Sequence, residues 1–144
     1  MSAEVNKAIP RRLFEEVLNT GRFAALDELF APSYRNYFPG SPAPLDRAGW
    51  EQTITLFRSA FPDMQCTIEQ LIAEGDTVAT WFTFRGTHQG DFQGIAPTGK
   101  QVAIPCHAFF HLADGKIVED RPIFDRLELF QQLGASPLPG QGQP

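Results

Sequence analysis

The feature that most constrains the fold is a long alternating run near the C-terminus. Every even-numbered residue in it is apolar, and these residues are Val102, Ile104, Cys106, Ala108, Phe110 and Leu112. Because successive side chains of a β-strand point to opposite faces, the run predicts a strand over 101–112 with one fully apolar face. Asp114-Gly115 follows and indicates a hairpin turn into a second strand, from Lys116 to about Phe124.

The N-terminal half of the sequence has the periodicity of helices. Apolar residues at helical spacing predict one helix that ends near Gly21 and a short second helix that ends before Pro32. Residues 33–45, rich in aromatic residues and proline, are expected to be irregular. Asp46 is a suitable N-terminal cap for a third helix, which Pro62 ends.

The C-terminal half has the pattern of a sheet. Two further strands are predicted, from Met64 to Ile72 and from Val78 to Phe84, before a glycine-rich connection over 86–99. A closing helix is predicted from Arg126 to Leu133. Helices followed by a meander of strands indicate an α+β fold, with the helices packed on one face of a curved antiparallel sheet.

Composition limits the partners and the compartment. The 144 residues fit one domain, 1–134, followed by a tail rich in Pro, Gly and Gln, 135–144, that is expected to be disordered. A formal charge of −5 disfavours phosphate backbones and anionic lipids, so nucleic acid and membranes are not expected as partners. Cys66 and Cys106 have no metal-ligand spacing, and no signal-like or membrane-length apolar run occurs. We therefore expect a cytoplasmic protein without a metal.

The predicted hairpin divides its residues between two faces. A type I turn followed by a glycine bulge at Leu112–Lys116 would pair His111 with Ile117. The face opposite the apolar row would then hold a mixed set: Ala103, Pro105, His107, Phe109, His111, Ile117, Glu119, Arg121, Ile123 and Asp125. Since ligand pockets combine apolar walls with a few polar groups, we predict that this mixed face lines an open pocket. A plain two-residue turn would move the ladder by one residue and change the pairing.

Short motifs occur in a characteristic order along residues 9–134. They are Phe61-Pro62-Asp63, Ile72-Ala73-Glu74-Gly75-Asp76-Thr77-Val78, Gly86-Thr87-His88-Gln89-Gly90, Gly94-Ile95-Ala96-Pro97-Thr98-Gly99, Ala113-Asp114-Gly115-Lys116-Ile117-Val118-Glu119, and Asp125 with Gln132-Leu133-Gly134. Together they resemble the SnoaL-like polyketide cyclases. The resemblance implies a cone-shaped fold like that of nuclear transport factor 2, often a homodimer formed through the sheet, and catalysis without metal or cofactor.

The resemblance also implies roles for individual residues. The founding cyclases close the last ring of anthracycline-type aromatic polyketides by an intramolecular aldol condensation. Their acid/base is an Asp just before the C-terminal helix, and Asp125 holds that position. His111, with His107 one step away on the same face, matches an assisting His, and Asn36 matches an Asn that lines the pocket. The resemblance therefore implies a small hydrophobic substrate, polyketide-like in character.

Aldol chemistry fits these residue types. One carboxylate can remove a proton beside a carbonyl and later protonate the new alkoxide if its pKa is near neutrality, which burial among aromatics promotes. His111 or Arg121 would donate a hydrogen bond to the carbonyl that becomes the enolate. The chain has Tyr37 where many family members have His, and Arg121 where many have Trp. The expected substrate contacts are Asn36, Tyr37, Trp81, Phe109, Glu119 and Arg121.

Other interpretations of the same residues stay open at this point. Asp125 and Glu128 form an Asp-x-x-Glu pattern typical of a helix capping box. The two His residues of the predicted strand would also suit a wetted surface. Glu119, Arg121 and Asp125 would suit epoxide hydrolysis if they surrounded a water. A ligand-binding or dimerisation module without catalysis is the third possibility, because fold does not determine function.

Overall fold

The computed structural model describes residues 2–135. Helix α1 (Ala3–Arg12) begins at Ser2, whose hydroxyl accepts a hydrogen bond of 3.2 Å from the Val5 amide. The helix continues as a π-helical segment, Leu13–Leu18, whose wider turn is closed by the hydrogen bond from the Asn19 amide to the Phe14 carbonyl. The π-helical segment places four apolar side chains in the core: Leu13, Phe14, Val17 and Leu18.

The next elements are short helix α2 (Leu26–Leu29), strand β1 (Phe30–Asn36) and helix α3 (Arg47–Ala60). Asp46 caps α3 as predicted, because its Oδ1 accepts a hydrogen bond of 2.9 Å from the Gly49 amide. The prediction of irregular structure from residue 33 onward is wrong for β1, because this segment pairs with a strand far away in sequence.

The sheet has five strands in the order β1-β5-β4-β3-β2. The bounds of the later elements are β2 (Gln65–Glu74), β3 (Thr77–Thr87), β4 (Gln101–Ala113), β5 (Lys116–Phe124) and α4 (Arg126–Leu133). Strands β2 to β5 form an antiparallel meander, and β1 adds to β5 in parallel. The sheet is therefore mixed and open, and the predicted α+β class is confirmed.

The β4–β5 hairpin has a two-residue turn. Ala113 pairs with Lys116, and Asp114 and Gly115 both have positive φ, 51° and 76°. This is the pattern of a type I′ turn, so the predicted type I turn with a glycine bulge is wrong. An irregularity follows at once, because Leu112 pairs with Ile117 while His111 pairs with Glu119. The β-bulge at Val118 shifts the rest of the ladder by one residue.

The apolar row of β4 faces the helices, and the opposite face has no helix over it. Burial alternates along β4, with every even-numbered residue buried and every odd-numbered residue exposed. We call the side of the sheet that carries the apolar row the inner face, and the other side the outer face. The outer face displays four large apolar side chains that are exposed by 46 to 62%: Ile72, Trp81, Phe109 and Ile123.

The glycine-rich connection between β3 and β4 is anchored by a buried histidine. His88 is fully buried, its ring Nδ1 accepts a hydrogen bond of 3.2 Å from the Thr98 amide, and its carbonyl accepts one of 2.9 Å from the Gly99 amide. The amides of Gln89 and Gly90 both donate to the Ala60 carbonyl at the end of α3. The two ends of the connection are therefore hydrogen-bonded to each other, and the first end is also hydrogen-bonded to α3.

The C-terminal helix ends as the sequence predicts. Gly134 takes the left-handed conformation with φ 78°, which suits glycine at a helix C-terminus. Of the tail predicted to be disordered, all residues after Ala135 lie outside the described part of the chain. No helix within residues 2–135 has the length and apolar character needed to cross a membrane.

Candidate active site

A cavity of about 100 Å³ lies between the helices and the inner face of the sheet. Its wall is almost entirely apolar and comes from the π-helical segment, α3 and all five strands. A cavity of about 150 Å³ holds benzene in an engineered protein, so the space here is somewhat smaller than a benzene site. The even-numbered residues that contribute to it from β4 are Ile104, Cys106, Ala108 and Phe110.

Three phenylalanines form a collar at one end of this cavity. The rings of Phe38, Phe57 and Phe124 lie in mutual contact, with centroid separations of 5.9 to 6.3 Å. Phe38 and Phe57 also line an open cleft on the outside, together with residues of the 38–45 loop and of the 91–93 segment. The collar therefore separates the inner cavity from a surface cleft.

Among residues 2–135, Asn36 and Asp120 are the only amide and carboxyl side chains in the cavity wall. Asn36 lies on β1 and Asp120 on β5, and the two residues are register partners in the parallel pair. The Tyr37 amide donates a hydrogen bond of 2.9 Å to the Asp120 carbonyl and secures this register. Both side chains are buried, with exposures of 1% and 4%.

A buried tyrosine links the two side chains. The hydroxyl of Tyr34 donates a hydrogen bond of 3.1 Å to Oδ2 of Asp120 and accepts one of 3.0 Å from Nδ2 of Asn36. Within the described residues, Oδ1 of Asp120 and Oδ1 of Asn36 have no hydrogen-bond partner. A buried oxygen without a partner is costly, so these two atoms are the places in the wall where a bound molecule would gain most from donating a hydrogen bond.

Burial changes the protonation of Asp120. Removal from water raises the pKa of its carboxyl from 3.8 to about 7, and the hydrogen bond from Tyr34, together with the nearby Asn36 amide, lowers it in part. Burial also raises the pKa of the Tyr34 phenol well above its usual value, with the nearby Asp120 carboxylate as the second cause. The tyrosine therefore stays protonated, while the aspartate can gain or lose a proton near neutral pH.

The two cysteines of the cavity wall are inert thiols. Burial raises the pKa of Cys66 to about 12 and that of Cys106 to about 12. Neither forms a disulfide. Within residues 2–135, no group of three or more His, Cys, Asp or Glu side chains is placed to hold a metal ion. Asp120 is therefore the group in this wall that can exchange a proton near neutral pH.

Most of the residues predicted for the pocket lie on the outer face instead. Phe109 is paired with Arg121, His111 with Glu119, and Trp81 with His107. Phe109, His111, Glu119 and Arg121 share one face with Ile123, as the mixed face was predicted to, but the apolar cavity lies on the other side of the sheet, and of this group Ile123 contributes to its wall. The pocket lies under the helices, and the helices pack against the apolar row. Ile117, predicted for the mixed face, is fully buried on the inner side because the two-residue turn pairs it with Leu112 of the apolar row.

Asp125 serves as a helix cap. Its Oδ1 accepts a hydrogen bond of 2.9 Å from the Glu128 amide at the start of α4, and its side chain is exposed. Glu119 and Arg121 form an ion pair of 3.4 Å on the outer face, and the Arg121 guanidinium lies 3.9 Å from the centroid of the Tyr37 ring. The cluster of two carboxylates and a guanidinium that epoxide hydrolysis requires is therefore not assembled around the cavity.

Of the predicted site residues, Asn36 lines the cavity as expected, and Asp120 was missed. A signal for Asp120 exists in the sequence, but it depends on the register. With the two-residue turn and the bulge, Asp120 pairs with Phe110, a member of the apolar row. A carboxyl group opposite a buried apolar row is unusual enough to mark a functional site.

An open sheet with helices over one face, and an apolar cavity with a buried carboxyl group between them, defines a small α+β protein with a candidate ligand site. The sequence pattern of the family described as SnoaL-like polyketide cyclase matches residues 8–133, and the chain belongs to this family. The resemblance inferred from the short motifs is thus confirmed. A comparison with curated proteins finds no match.

Solved structures agree with this assignment. IdmH from Streptomyces antibioticus, a candidate polyketide cyclase, is 33% identical with a TM-score of 0.82, over 90% of this chain and 99% of that one. A candidate SnoaL-like polyketide cyclase from Jannaschia sp. CCS1 is 28% identical with a TM-score of 0.80, over 94% and 95%. AclR from Streptomyces galilaeus, a candidate hydroxylase, is 27% identical with a TM-score of 0.83, over 95% and 89%.

Proposed function

We propose that the protein is a cofactor-independent cyclase or isomerase that acts on a small hydrophobic, polyketide-like molecule, with Asp120 as its acid/base. The observation that carries the proposal is the carboxyl of Asp120, buried in an apolar cavity, with a pKa raised to about 7 and with Oδ1 unpartnered among the described residues. A general base is most effective when its pKa lies near the working pH, because it is then both available and strong enough. Asp120 takes the role that the sequence analysis assigned to Asp125.

The proposed reaction is an intramolecular aldol closure. Oδ1 of ionised Asp120 removes a proton from a carbon next to a carbonyl, and the C–H electron pair passes into the enolate. The enolate carbon attacks a second carbonyl of the same molecule, so that a C–C bond forms and the carbonyl oxygen becomes an alkoxide. The alkoxide takes the proton back from Asp120, which returns the carboxylate to its starting state. No external oxidant, reductant or proton donor is consumed.

The size of the cavity supports a reaction at one end of a larger molecule. About 100 Å³ leaves no room for a fused multi-ring polyketide, so only the reacting end of the molecule would enter. In this proposal the rest of the molecule passes the Phe38–Phe57–Phe124 collar and lies in the outer cleft. Aromatic rings can hold a planar substrate there by stacking and edge contacts.

The test is proton exchange and turnover with a panel of aromatic polyketides that carry an acidic C–H beside a carbonyl. Wild-type protein is expected to catalyse incorporation of solvent deuterium at that carbon, measured by mass spectrometry, and to close the ring. Asp120→Asn should lower both rates by about 100-fold or more, a typical effect of losing a general base. Asp125→Asn, the matched Asp-to-Asn change outside the cavity, should retain them.

The proposal fails if Asp125→Asn abolishes exchange while Asp120→Asn retains it. Ala108→Leu is a second control, because Ala108 lies in the wall of the cavity and a larger side chain would fill it. This variant should lose binding of the same compounds in a thermal-shift measurement. Unchanged binding by Ala108→Leu would place the ligand elsewhere and would also contradict the proposal.

We also propose that the outer face of the sheet binds a second copy of the chain. Its four exposed apolar side chains form a surface of a kind that monomers rarely expose, flanked by the Glu119–Arg121 ion pair. A two-fold interface must be self-complementary, and a patch with one acid and one base on neighbouring positions meets this condition.

Phe109→Glu should convert a dimer to a monomer in analytical ultracentrifugation. Leu56→Glu, at an equally exposed apolar residue of α3, should leave the mass unchanged, and a monomeric wild type would refute the proposal.

A further inference from the structure

Tyr34 lies behind the carboxyl of Asp120 and is not part of the cavity wall. Its side chain is 1% exposed, and its hydroxyl contacts Asp120 and Asn36. Oδ2 of Asp120 is thereby occupied from the protein side, and the oxygen left for a ligand is Oδ1. The tyrosine thus determines which of the two carboxyl oxygens is available.

The ring of Tyr34 is held in place from the other side. It stacks on Phe30 with centroids 3.7 Å apart and planes 8° from parallel, and Phe30 in turn contacts the edge of Trp50 at 5.2 Å. The backbone of β1 is fixed to β5 by the pairs Arg35–Glu119 and Asn36–Asp120. The strand pairing of the backbone and the stacking of the ring therefore both fix the position of the Tyr34 hydroxyl next to the Asp120 carboxyl.

The direction of the hydrogen bond follows from Asn36. Nδ2 of Asn36 donates to the Tyr34 oxygen, so the tyrosine's own hydrogen is directed to Asp120. A donated hydrogen bond favours the ionised carboxylate and opposes the effect of burial. A phenol that donates its hydrogen to the carboxyl stabilises the ionised carboxylate. It does not accept the substrate's proton, so it does not compete with Asp120 as the base.

We infer that Tyr34 is a positioning residue that fixes the Asp120 carboxyl with Oδ1 toward the bound molecule and keeps part of it ionised at neutral pH. This inference rests on the proposed role of Asp120 as acid/base and adds the residue that orients it. Asn36 acts one step further away, by orienting the Tyr34 hydroxyl.

Few titratable groups face Asp120. Tyr34 approaches from β1, and the thiols of Cys66 and Cys106 line the same cavity from β2 and β4. Burial raises the pKa of both thiols to about 12, so they stay neutral when Asp120 titrates. The wall contributed by the π-helical segment and α3 contains no charged side chain. A change in the titration of Asp120 in a Tyr34 variant therefore reports the hydroxyl itself.

The chain contains two tyrosines, which supplies a matched control. The experiment is a pH titration of the Asp120 carboxyl carbon by NMR in protein labelled with ¹³C at the aspartate side chains, with Asp120→Asn used to assign the signal. In the wild type the midpoint is expected near pH 7. In Tyr34→Phe it should rise by about one pH unit or more, because a hydrogen bond to the charged form is lost. Tyr37→Phe should leave it unchanged, and Asn36→Ala should shift it upward by a smaller amount.

The outcomes separate this inference from the proposed function. A wild-type midpoint below about pH 5, the range of an ordinary aspartate, would overturn the role of Asp120 itself. A wild-type midpoint near pH 7 that is the same in Tyr34→Phe would overturn only the inference. If Tyr34→Phe does not fold, an unshifted Asn36→Ala also overturns it, because that variant releases the same hydroxyl. A lower melting temperature in Tyr34→Phe without a changed midpoint counts as a structural role alone and contradicts the positioning role.

Discussion

Asn36 and Asp120 lie opposite each other in the parallel pair of β1 and β5, and both side chains enter the same apolar cavity. Nearly all other contacts in that cavity are made by hydrocarbon groups and aromatic rings, so the two side chains are the polar end of an apolar site. Their Oδ1 atoms have no hydrogen-bond partner among the described residues, and under the proposed function they would meet an acidic C–H or a hydroxyl group of the substrate. Several measurable consequences follow from this arrangement and from the elements that support it.

The buried carboxyl of Asp120 should make stability depend on pH. Its pKa is about 7 in the folded state and 3.8 when unperturbed, so between these values the folded state binds the proton and the unfolded state has lost it. The free energy of unfolding should therefore fall as the pH rises from about 4 to about 7, by about 4 kcal/mol, and stay level above. Urea denaturation of the wild type and of Asp120→Asn at pH 4.5 and pH 8 measures this difference. The advantage of the variant over the wild type should grow with pH, and a constant difference would contradict the prediction.

The N-terminal cap of α4 should depend on the oxygen of Asp125 and not on its charge. Asp125→Ala removes the acceptor for the Glu128 amide and should lower the free energy of unfolding by about 1 kcal/mol. Asp125→Asn retains an acceptor oxygen, so its free energy of unfolding should fall by much less. Thermal or urea denaturation compares the two variants. Equal losses in both would show that the carboxylate charge has a role beyond capping.

A side chain at position 90 should disrupt the contact between the glycine-rich connection and α3. A Cβ at Gly90 would lie 2.2 Å from the Ser59 carbonyl oxygen. This oxygen is a backbone atom of α3, so its displacement would distort the helix. Gly90 has no positive φ, so the cost of Gly90→Ala is steric, about 1–3 kcal/mol. Gly49→Ala within α3 is the comparison, because its Cβ would meet side-chain atoms of Leu45 at 3.3 Å and of Asp46 at 3.5 Å and no backbone atom closer than these, and the helix would gain propensity. A melting temperature of Gly90→Ala equal to that of the wild type would refute the predicted clash.

The buried ring of His88 should protect the amides at the C-terminal end of the glycine-rich connection from hydrogen exchange. Nδ1 of His88 accepts the Thr98 amide hydrogen, and His88→Leu would leave that amide without an acceptor, at a cost of about 1–3 kcal/mol. Hydrogen exchange of the Thr98 and Gly99 amides should accelerate in the variant. Thr98→Val keeps the amide and removes only the hydroxyl, so it should accelerate the exchange less. Unchanged exchange in His88→Leu would mean that another contact protects this segment.

The sequence alone determined the elements whose signals are local. The alternation over 101–112 depends on the two-residue repeat of a strand, and the caps at Asp46 and Gly134 depend on hydrogen bonds or φ values within one turn. The class of fold followed from the order of these elements, and the family followed from short motifs in order. Each of these features is encoded within a few neighbouring residues, so no long-range contact had to be known.

Only the tertiary structure decided where the site lies. The turn at Asp114-Gly115 and the bulge at Val118 set the register of β5, and this register places Asp120 inside and Asp125 at the start of α4. The parallel addition of β1 brought Asn36 and Tyr34 to Asp120 from the other half of the chain. The helices pack against the apolar row of β4 and cover the cavity on that side of the sheet. The mixed face lies on the opposite side and is exposed. Pairing between distant strands and packing of helices depend on the sum of many contacts, so neither can be predicted from a local pattern of the sequence.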